Sequence, residues 1–418
     1  MKKRSYTLLF LFSFLCSIQA QNSRIYSEHV KSLQVIANED VLLPPIVNLG
    51  GNNVIDFDFD MLSHDYHRLI YKIEHCNADW TPSTEIFESD YLAGFNGQVI
   101  EDVENSFNTN LLYTHYHVRI PNENVALKLS GNYKLHVYLD EDGADPERPL
   151  LTACFSVVEP EVGISVSVSS NTDIDFNKTH QQLSFSINYG TLTVGDPIRE
   201  LKTVIMQNRR TDNWVINPKP DIQKVNVLEY KHNRQLIFDA GNEYHKFEIL
   251  GFNRANMNVD QIKWFDPYYH VILNEDRPSK NYIFETDQNG ASVIRHADNW
   301  NNETTSEYVW VHFTLKSPQQ TQGEIYLSGN WTFNQFTPQY RMNYNPDIQC
   351  YEAALLLKQG YYNYQYLYVP SGSQRGESLI DGNYFQTENE YIILVYHRPV
   401  GERYDRLVGY RKMNYLGQ

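Results

Sequence analysis

Alternation of apolar and polar residues recurs along most of the chain. Residues 54–59 read VIDFDF, which places Ile55 and Phe57 on one face and Asp56 and Asp58 on the other. Similar runs occur at 69–73, 116–120, 133–139, 164–168, 183–187, 308–315, 351–357, 362–369 and 391–396. Turn residues separate the runs roughly every 8–12 positions, which is typical of antiparallel sandwiches. The pattern predicts an all-β fold of tandem immunoglobulin-like or early-set β-sandwich domains.

Two interruptions of this pattern suggest domain boundaries. The run CFSVVEP at 154–160 looks like a last strand that leaves into a linker, and the polar stretch HADNWNNETTS at 296–306 looks like a second linker. We therefore predict a signal peptide followed by three sandwich domains and a tail that is extended or docked. The predicted bounds are 1–20 for the signal peptide, 21–159, 160–303 and 304–400 for the three domains, and 401–418 for the C-terminal tail.

Composition and the N-terminus narrow the function classes. Among 418 residues there are 31 Tyr and 20 Phe, an aromatic content that favours strands. The net charge of −16 argues against binding of nucleic acid and against polybasic docking on anionic lipid. The sequence begins MKKR and continues with an apolar run at 6–18, and Ala20 offers a cleavage site. We expect an exported soluble protein, cleaved after Ala20, without direct insertion into lipid.

Candidate chemistry is sparse. His115 and His117 share one strand face and His64 and His67 lie near another strand, but no carboxylate or cysteine accompanies them at ligand spacing. The aspartates at 56, 58 and 60 form a flat row, which we interpret as a solvated strand face rather than a calcium loop. GxSxG, GxGxxG and P-loop motifs do not occur. We predict no catalytic residues, no metal site and no cofactor.

Cysteine and tyrosine positions carry structural predictions. Cys76 and Cys154 lie in apolar strand-like runs and are predicted to be buried thiols. The sequence SGNYKLHVYL at 130–139 resembles the sixth strand of an immunoglobulin-like sandwich, with Tyr133 at the position of a corner tyrosine.

The segment from 304 to 400 resembles the early-set modules that bind glycogen and starch. Gly323 to Trp331 reads GEIYLSGNW, and the tyrosine-rich run at 361–368 follows. In such modules an exposed Trp and a Lys bind the glucan. Here Gln365 occupies the Lys-like position, and Trp331 lies outside the usual arrangement. Trp331 is therefore predicted to be a core or partner contact, and a periplasmic carbohydrate-binding module remains the alternative function.

Several motifs together resemble a known family. They are IEHCNADW (73–80), YLAGF (91–95), IEDVENSFNT (100–109), YTHY (113–116), SGNY (130–133), QNRR (207–210) and GNEYHKF (241–247). Their order and spread are similar to those of the plug proteins of the type IX secretion system of the Bacteroidota. The resemblance covers nearly the whole chain after the predicted signal peptide.

The resemblance implies a function that composition does not reveal. Plug proteins are periplasmic, consist of immunoglobulin-like sandwiches and are not enzymes. They occupy the periplasmic entrance of the outer-membrane translocon barrel when no cargo-shuttle partner holds its gate. We accordingly expect a periplasmic, non-catalytic interaction protein whose partner is that barrel and which is a monomer outside the complex. Trp80, Trp331 and Phe336 are the predicted partner-binding residues, as aromatic anchors of such an interface. An orphan hydrolase is a weaker third hypothesis.

Overall fold

Strands dominate the structure, which confirms the predicted all-β class. The computed structural model describes residues 23–141, 145 and 147–417, so the predicted signal peptide lies outside the described residues. Each described helix is short: α1 (Glu88–Tyr91), α2 (Pro197–Glu200), α3 (Asn302–Thr305) and 3₁₀ turns at Arg234–Leu236, Asn330–Thr332 and Pro338–Tyr340. In the described part of the chain, no helix has the length and apolar character needed to cross a membrane.

The first sandwich is built from the N-terminal strands. They are β1 (Arg24–Ile25), β2 (Val30–Ala37), β3 (Ile46–Asn48), β4 (Ile55–Met61), β5 (Leu69–Cys76), β6 (Leu92–Gly94), β7 (Gln98–Val99), β8 (Asp102–Asn105), β9 (Thr114–Ile120), β10 (Val125–Leu127), β11 (Gly131–Leu139) and β12 (Leu151–Val158). One sheet has the order β1-β12-β11-β5-β7, with β3 also on β12, and the other has the order β2-β4-β9-β8. Their alternating apolar residues, including Phe57, Tyr116 and Phe155, form one core between the sheets.

The second sandwich combines two distant parts of the chain. Its strands are β13 (Gly163–Ser169), β14 (His180–Asn188), β15 (Leu201–Gln207), β16 (Val215–Ile216), β17 (Ile222–Lys224), β18 (Val227–Tyr230), β19 (Ile237–Asp239) and, much later, β29 (Asn389–His397) and β30 (Arg406–Tyr415). One sheet has the order β13-β14-β18-β17, with β19 on β14, and the other has the order β16-β15-β29-β30. Phe185, Ile205 and Ile393 belong to the core that these sheets share.

The third sandwich lies between those two parts in the sequence. Its strands are β20 (His245–Glu248), β21 (Val259–Phe265), β22 (Tyr268–Leu273), β23 (Ser292–Ile294), β24 (Tyr308–Leu315), β25 (Gly323–Ser328), β26 (Asn343–Asn345), β27 (Cys350–Lys358) and β28 (Gly360–Pro370). One sheet has the order β21-β22-β24-β27-β26, and β28 pairs with β20, β23 and β25 in the other. Aromatic residues such as Phe247, Phe313 and Tyr366 fill the core.

The strand pairing joins segments that the predicted boundaries at 303 and 400 separate. β29 lies in the segment predicted as the third domain, yet it pairs with β15 from Leu201↔His397 to Gln207↔Tyr391. β30 lies in the predicted tail, and it forms the edge strand beside β29. The apolar alternation in both segments identifies strands, but it carries no information about which strand they pair with.

The predicted corner tyrosine is confirmed. The Tyr133 hydroxyl donates a hydrogen bond to the Leu129 carbonyl at 2.7 Å. The third sandwich has the same feature, since the Tyr362 hydroxyl donates to the Lys358 carbonyl at 2.6 Å. Burial of the predicted thiols is also confirmed, and burial raises the pKa of Cys76 to about 12.

Candidate functional site

The three predicted partner-binding residues lie in very different environments. Trp80 follows β5 in a tight turn and is only 1% exposed. Its carbonyl accepts a hydrogen bond from Lys134 Nζ at 2.9 Å, and its N–H donates to the Asn77 carbonyl at 2.9 Å. Trp80 is thus a fixed part of the first sandwich and has almost no surface to offer a partner.

Trp331 lies where the first and third sandwiches meet. Its indole N–H donates to the Asn363 carbonyl at 2.7 Å, and its ring contacts Tyr340 and Tyr362 edge-on at centroid distances of 6.2 and 5.6 Å. The ring also lines two neighbouring cavities of about 300 and 150 Å³ between these sandwiches. Both ring and N–H are engaged inside the protein, so this tryptophan is held as a packing residue.

Phe336 lines a larger cleft that all three sandwiches enclose. Its ring is half-buried and lies 5.3 Å from the ring of Tyr326. A Cβ atom at residue 376 would lie 2.8 Å from Phe336 Cζ, so only glycine permits this approach. Gln335 Nε2 donates to the Ser23 carbonyl at 2.6 Å, which ties the same segment to the first sandwich. Phe336 is the predicted residue with the clearest access to a bound molecule.

A buried ion pair locks the first sandwich to the third. Asp60 Oδ2 on β4 lies 2.6 Å from Lys358 Nζ on β27, and both side chains are 1% exposed. The Tyr308 hydroxyl on β24 donates to the same oxygen at 2.6 Å. The ammonium also lies 4.2 Å from the centre of the Tyr113 ring, in a cation–π contact. The ion pair, the hydrogen bond to Asp60 and the cation–π contact of Lys358 together offset the cost of burying both charges.

The Asp60 carboxylate ends a charge ladder that runs across β4 and β9. His115 Nδ1 lies 2.8 Å from Asp60 Oδ1, and His115 Nε2 lies 3.4 Å from Asp58 Oδ1. His117 Nδ1 lies 2.7 Å from Asp58 Oδ1. His117 Nε2 lies 3.5 Å from Asp56 Oδ1, so each imidazole has a carboxylate oxygen within 3.5 Å of both ring nitrogens. These contacts follow from strand pairing, which places Asp58 opposite His117 and Asp60 opposite His115.

The ladder shifts the pKa values of His115, His117 and Asp58 in the direction that favours the charged form of each side chain. Burial opposes the charge on His115, but the hydrogen bonds to Asp58 and Asp60 raise its pKa to about 9. Burial likewise opposes the charge on Asp58, and hydrogen bonds from both histidines lower its pKa to about 2. The hydrogen bond to Asp58 also raises the pKa of His117, so the ladder favours the cationic form of both imidazoles.

The predicted solvated aspartate face is therefore wrong. Asp56, Asp58 and Asp60 are 4%, 9% and 1% exposed. The neighbouring strands β2 and β8 flank the row, and the third sandwich covers its end through Lys358. The sequence contained one signal of this arrangement. An alternating row of Asp on one strand and a His-x-His pair on another can neutralise each other's charge when the two strands pair with these side chains on the same face.

The four histidines considered for a metal do not converge. His115 and His117 belong to the ladder, His64 Nε2 lies 2.8 Å from Ser106 Oγ, and His67 Nδ1 lies 3.0 Å from Glu141 Oε1. Among the residues that the structure describes, no group of three or more His, Cys, Asp or Glu side chains is arranged to hold a metal ion.

A second lock joins the first sandwich to the second. Asp405 accepts a hydrogen bond from the Ala78 N–H at 3.0 Å and forms an ion pair with Lys202 Nζ at 2.8 Å. Asp405 is buried, whereas the Lys202 side chain is 35% exposed. The Tyr396 hydroxyl adds a hydrogen bond to Asn132 Oδ1 at 2.9 Å. Apolar residues including Val158, Met206 and Leu407 pack around these contacts.

Two adjacent arginines join the second sandwich to both neighbours. Arg209 forms an ion pair with Glu390 at 2.9 Å within its own sandwich, and its guanidinium also donates to the Leu43 carbonyl of the first at 3.2 Å. Arg210 pairs with Asp212 at 2.6 Å and donates to the Gly376 carbonyl of the third sandwich at 2.8 Å. The two side chains of this short loop therefore tie all three sandwiches together.

Comparison with known proteins identifies the family. Residues 30–159 match the family described as type 9 secretion system plug protein, first domain. The chain belongs to the type IX secretion plug family. This confirms the family resemblance of the sequence motifs, and it assigns the protein a role related to type IX secretion and a location in the cell envelope. A search of curated proteins gives no match.

A solved structure extends the similarity over the plug-family chain as a whole. It is a crystal structure described as a hypothetical protein from Parabacteroides merdae, 43% identical in sequence. The alignment covers 95% of this chain and 100% of that chain, with a TM-score of 0.92. The same arrangement of three sandwiches is therefore present in that relative.

Several of the motifs that carry the plug-family resemblance lie at contacts between the sandwiches. The motif at 73–80 supplies Ala78 to the second lock, and the motif at 113–116 supplies Tyr113 and His115 to the first. The motif at 207–210 supplies Arg209 and Arg210. In this plug-family protein these motifs hold the three sandwiches together.

Proposed function

We propose that this protein closes the periplasmic entrance of the type IX outer-membrane translocon barrel. The observation that carries the proposal is the location of several family motifs at the contacts between sandwiches. A body that blocks a wide aqueous opening must resist deformation. The buried pair of Asp60 and Lys358 between the first and third sandwiches gives such resistance, because separation would leave its charges unpaired in an apolar site.

The surface chemistry is compatible with reversible closure. The chain is acidic, with a net charge of −16, and its strands put their apolar faces into three internal cores. An acidic chain suits an aqueous lumen, and a partner that must later leave needs an interface of moderate affinity. The proposed location is periplasmic, after removal of the signal peptide at Ala20, and the proposed activity is non-catalytic.

A pull-down from native envelopes tests the partner. The full chain carries a C-terminal tag, envelopes are solubilised in mild detergent, and the eluted proteins are identified by mass spectrometry. We expect a very large outer-membrane barrel, enriched when its cargo-shuttle partner is deleted. Elution of the protein without a barrel, in both strains, would contradict the proposal.

Permeability tests closure itself. In cells that lack the shuttle partner, deletion of this protein should increase uptake of vancomycin, which an intact outer membrane excludes. The matched control is a strain that lacks both the barrel and this protein, in which the increase should disappear. An unchanged uptake in the first strain would contradict closure even if the pull-down recovers the barrel.

The glucan-binding alternative finds no support at Trp331, whose indole N–H and ring are engaged by Asn363, Tyr340 and Tyr362. Retention on immobilised starch by the full chain, lost in Trp331→Ala, would favour that alternative.

A further inference from the structure

The outer face of one sheet of the first sandwich carries a row of basic residues. Strand pairing places Arg24 opposite Thr152, Thr152 opposite His136, and His136 opposite Lys72. Directly paired residues of an antiparallel sheet point to the same face, so these four side chains form one row across β1, β12, β11 and β5. Lys134 lies on the same face in the next row, opposite Glu74.

Much of this face forms the floor of the cleft that contains Phe336. The cleft has a volume of about 1020 Å³, and Arg24, Lys134, His136 and Thr152 line it from the first sandwich. Trp214 lines it from the second sandwich. Phe336, Tyr326 and Arg375 line it from the third. Binding sites commonly lie between domains, and this volume is at the upper end of the range of small-molecule sites, about 300–1,000 Å³.

The cations of the cleft are only partly compensated. The Arg24 guanidinium lies 5.2 Å from the centre of the Tyr26 ring, and the ion pairs among the described residues do not include Arg24. Arg375 is 53% exposed and has Asp239 at 3.7 Å. Of the two acidic side chains in the lining, Asp212 is already paired with Arg210, and Glu74 Oε2 lies 3.6 Å from His136 Nε2. The cleft is thus basic in a protein whose net charge is −16.

We propose that this cleft binds an extended acidic segment of a partner polypeptide, with aromatic or aliphatic side chains between its carboxylates. We choose an acidic occupant because its charge complements that of the basic cleft. Arg24 and Arg375 belong to different sandwiches and can each bind a separate carboxylate. Trp214 and Phe336 supply apolar walls for the intervening side chains. The inference goes beyond barrel closure, since the cleft binds such a segment whether or not the protein blocks a pore.

The wall that carries Phe336 is built to hold its position. Gly376 N–H donates to Asp212 Oδ2 at 2.8 Å, and Arg210 donates to the Gly376 carbonyl at 2.8 Å. The absence of a side chain at Gly376 then allows Phe336 to approach. A preformed wall lowers the entropy that a bound segment must lose to the ordering of its site.

Fluorescence anisotropy with the full chain tests the proposal. The probe is a fluorescein-labelled octapeptide of alternating glutamate and tyrosine, and the comparison peptides replace glutamate with lysine or tyrosine with serine. We expect saturable binding of the glutamate–tyrosine peptide that weakens at higher salt, and at least tenfold weaker binding of both comparison peptides.

Variants locate the binding in the cleft. Arg24→Glu with Arg375→Glu should weaken the binding about tenfold or more, and Phe336→Ala should weaken it several-fold. The matched control is Arg254→Glu, an exposed arginine outside the cleft, which should leave binding unchanged. Thermal unfolding of each variant verifies the fold. Because Arg24 and Arg375 are exposed, the double variant should disturb the fold less than Phe336→Ala does.

Four results would overturn the inference. They are equal binding of the lysine peptide, binding that the double charge reversal leaves unchanged, a cleft-dependent dimer in light scattering that the peptide does not disrupt, and cleft-dependent binding of maltoheptaose in place of the peptide. The dimer would assign the cleft to a second copy of the chain, and maltoheptaose binding would assign it to a sugar.

Discussion

The two locks use the same pair of residue types in different surroundings. Asp60 and Lys358 join the first sandwich to the third with both side chains 1% exposed. Asp405 joins the second sandwich to the Ala78 N–H of the first, and its ion-pair partner Lys202, which also belongs to the second sandwich, remains 35% exposed. Removal of one member of a fully buried pair leaves the other charge buried and unpaired, whereas a half-exposed lysine can turn towards water. Similar contacts should therefore differ severalfold in the free energy lost when one partner is removed.

The largest effect is expected at the buried lock. Asp60→Ala leaves the Lys358 ammonium without its carboxylate and also removes the acceptor of Tyr308 and a partner of His115. We expect a loss of about 3–5 kcal/mol in the free energy of unfolding, measured by urea denaturation. In the control, Asp60→Leu combined with Lys358→Met should lose much less than the single variant. An equal loss would show that the charges are not the cause.

A smaller effect is expected at the half-exposed lock. Asp405→Ala removes the acceptor of the buried Ala78 N–H, and Lys202 can be solvated without large rearrangement. We expect a loss of about 1–3 kcal/mol in the same assay, which is the cost of one unsatisfied buried donor. Lys202→Met should cost less than Asp405→Ala. A loss as large as that of Asp60→Ala would remove the contrast between the locks.

The buried lock should also depend on pH. The pKa of His115 is raised to about 9, so its contribution to stability is complete below its ordinary value near 6.5 and is lost as pH rises through about 9. Urea denaturation between pH 7 and 10 should therefore show falling stability, and His115→Gln should flatten the part of the fall that this ladder causes. Stability that is constant in both proteins over this interval would argue against a charged His115.

The smallest effect is expected at a surface pair across the second interface. Arg398 lies 3.1 Å from Glu85 Oε2, and Glu85 is 63% exposed. Exposed pairs contribute about 0–1 kcal/mol, so Arg398→Ala should shift the urea midpoint only slightly. A loss above that of Asp405→Ala would mean that the guanidinium contacts to the Glu402 and Arg403 carbonyls, which lie within the second sandwich, stabilise the protein more than the surface pair does.

Fold class, family and corner tyrosine were predictable because they depend on local pattern. The alternation of 54–59 identifies a strand, and a Gly-x-Tyr step identifies the corner at Tyr133. The environment of the polar face of β4, which carries Asp58, was not predictable in the same way. Asp58 alternates like any solvated residue, and only the pairing of β4 with β9 reveals that His117 covers it.

The candidate site was harder still to predict, because its parts come from remote segments. Lys358 ends an apolar run and has its partner at Asp60, almost three hundred positions earlier in the sequence. Nothing in either segment specifies the other. Trp80 also depends on tertiary packing, because it lies in a polar turn and its side chain is nevertheless buried.

The return of β29 to β15 has a consequence for biosynthesis. Leu201 pairs with His397, so the edge of β15 stays open while nearly two hundred further residues are made. Contacts this distant in sequence slow folding and expose unpaired strand edges to aggregation. Any chain that stops within the third sandwich lacks both strands that complete the second. Such fragments are expected to be substrates for proteases and chaperones, so that only the finished polypeptide persists in the envelope.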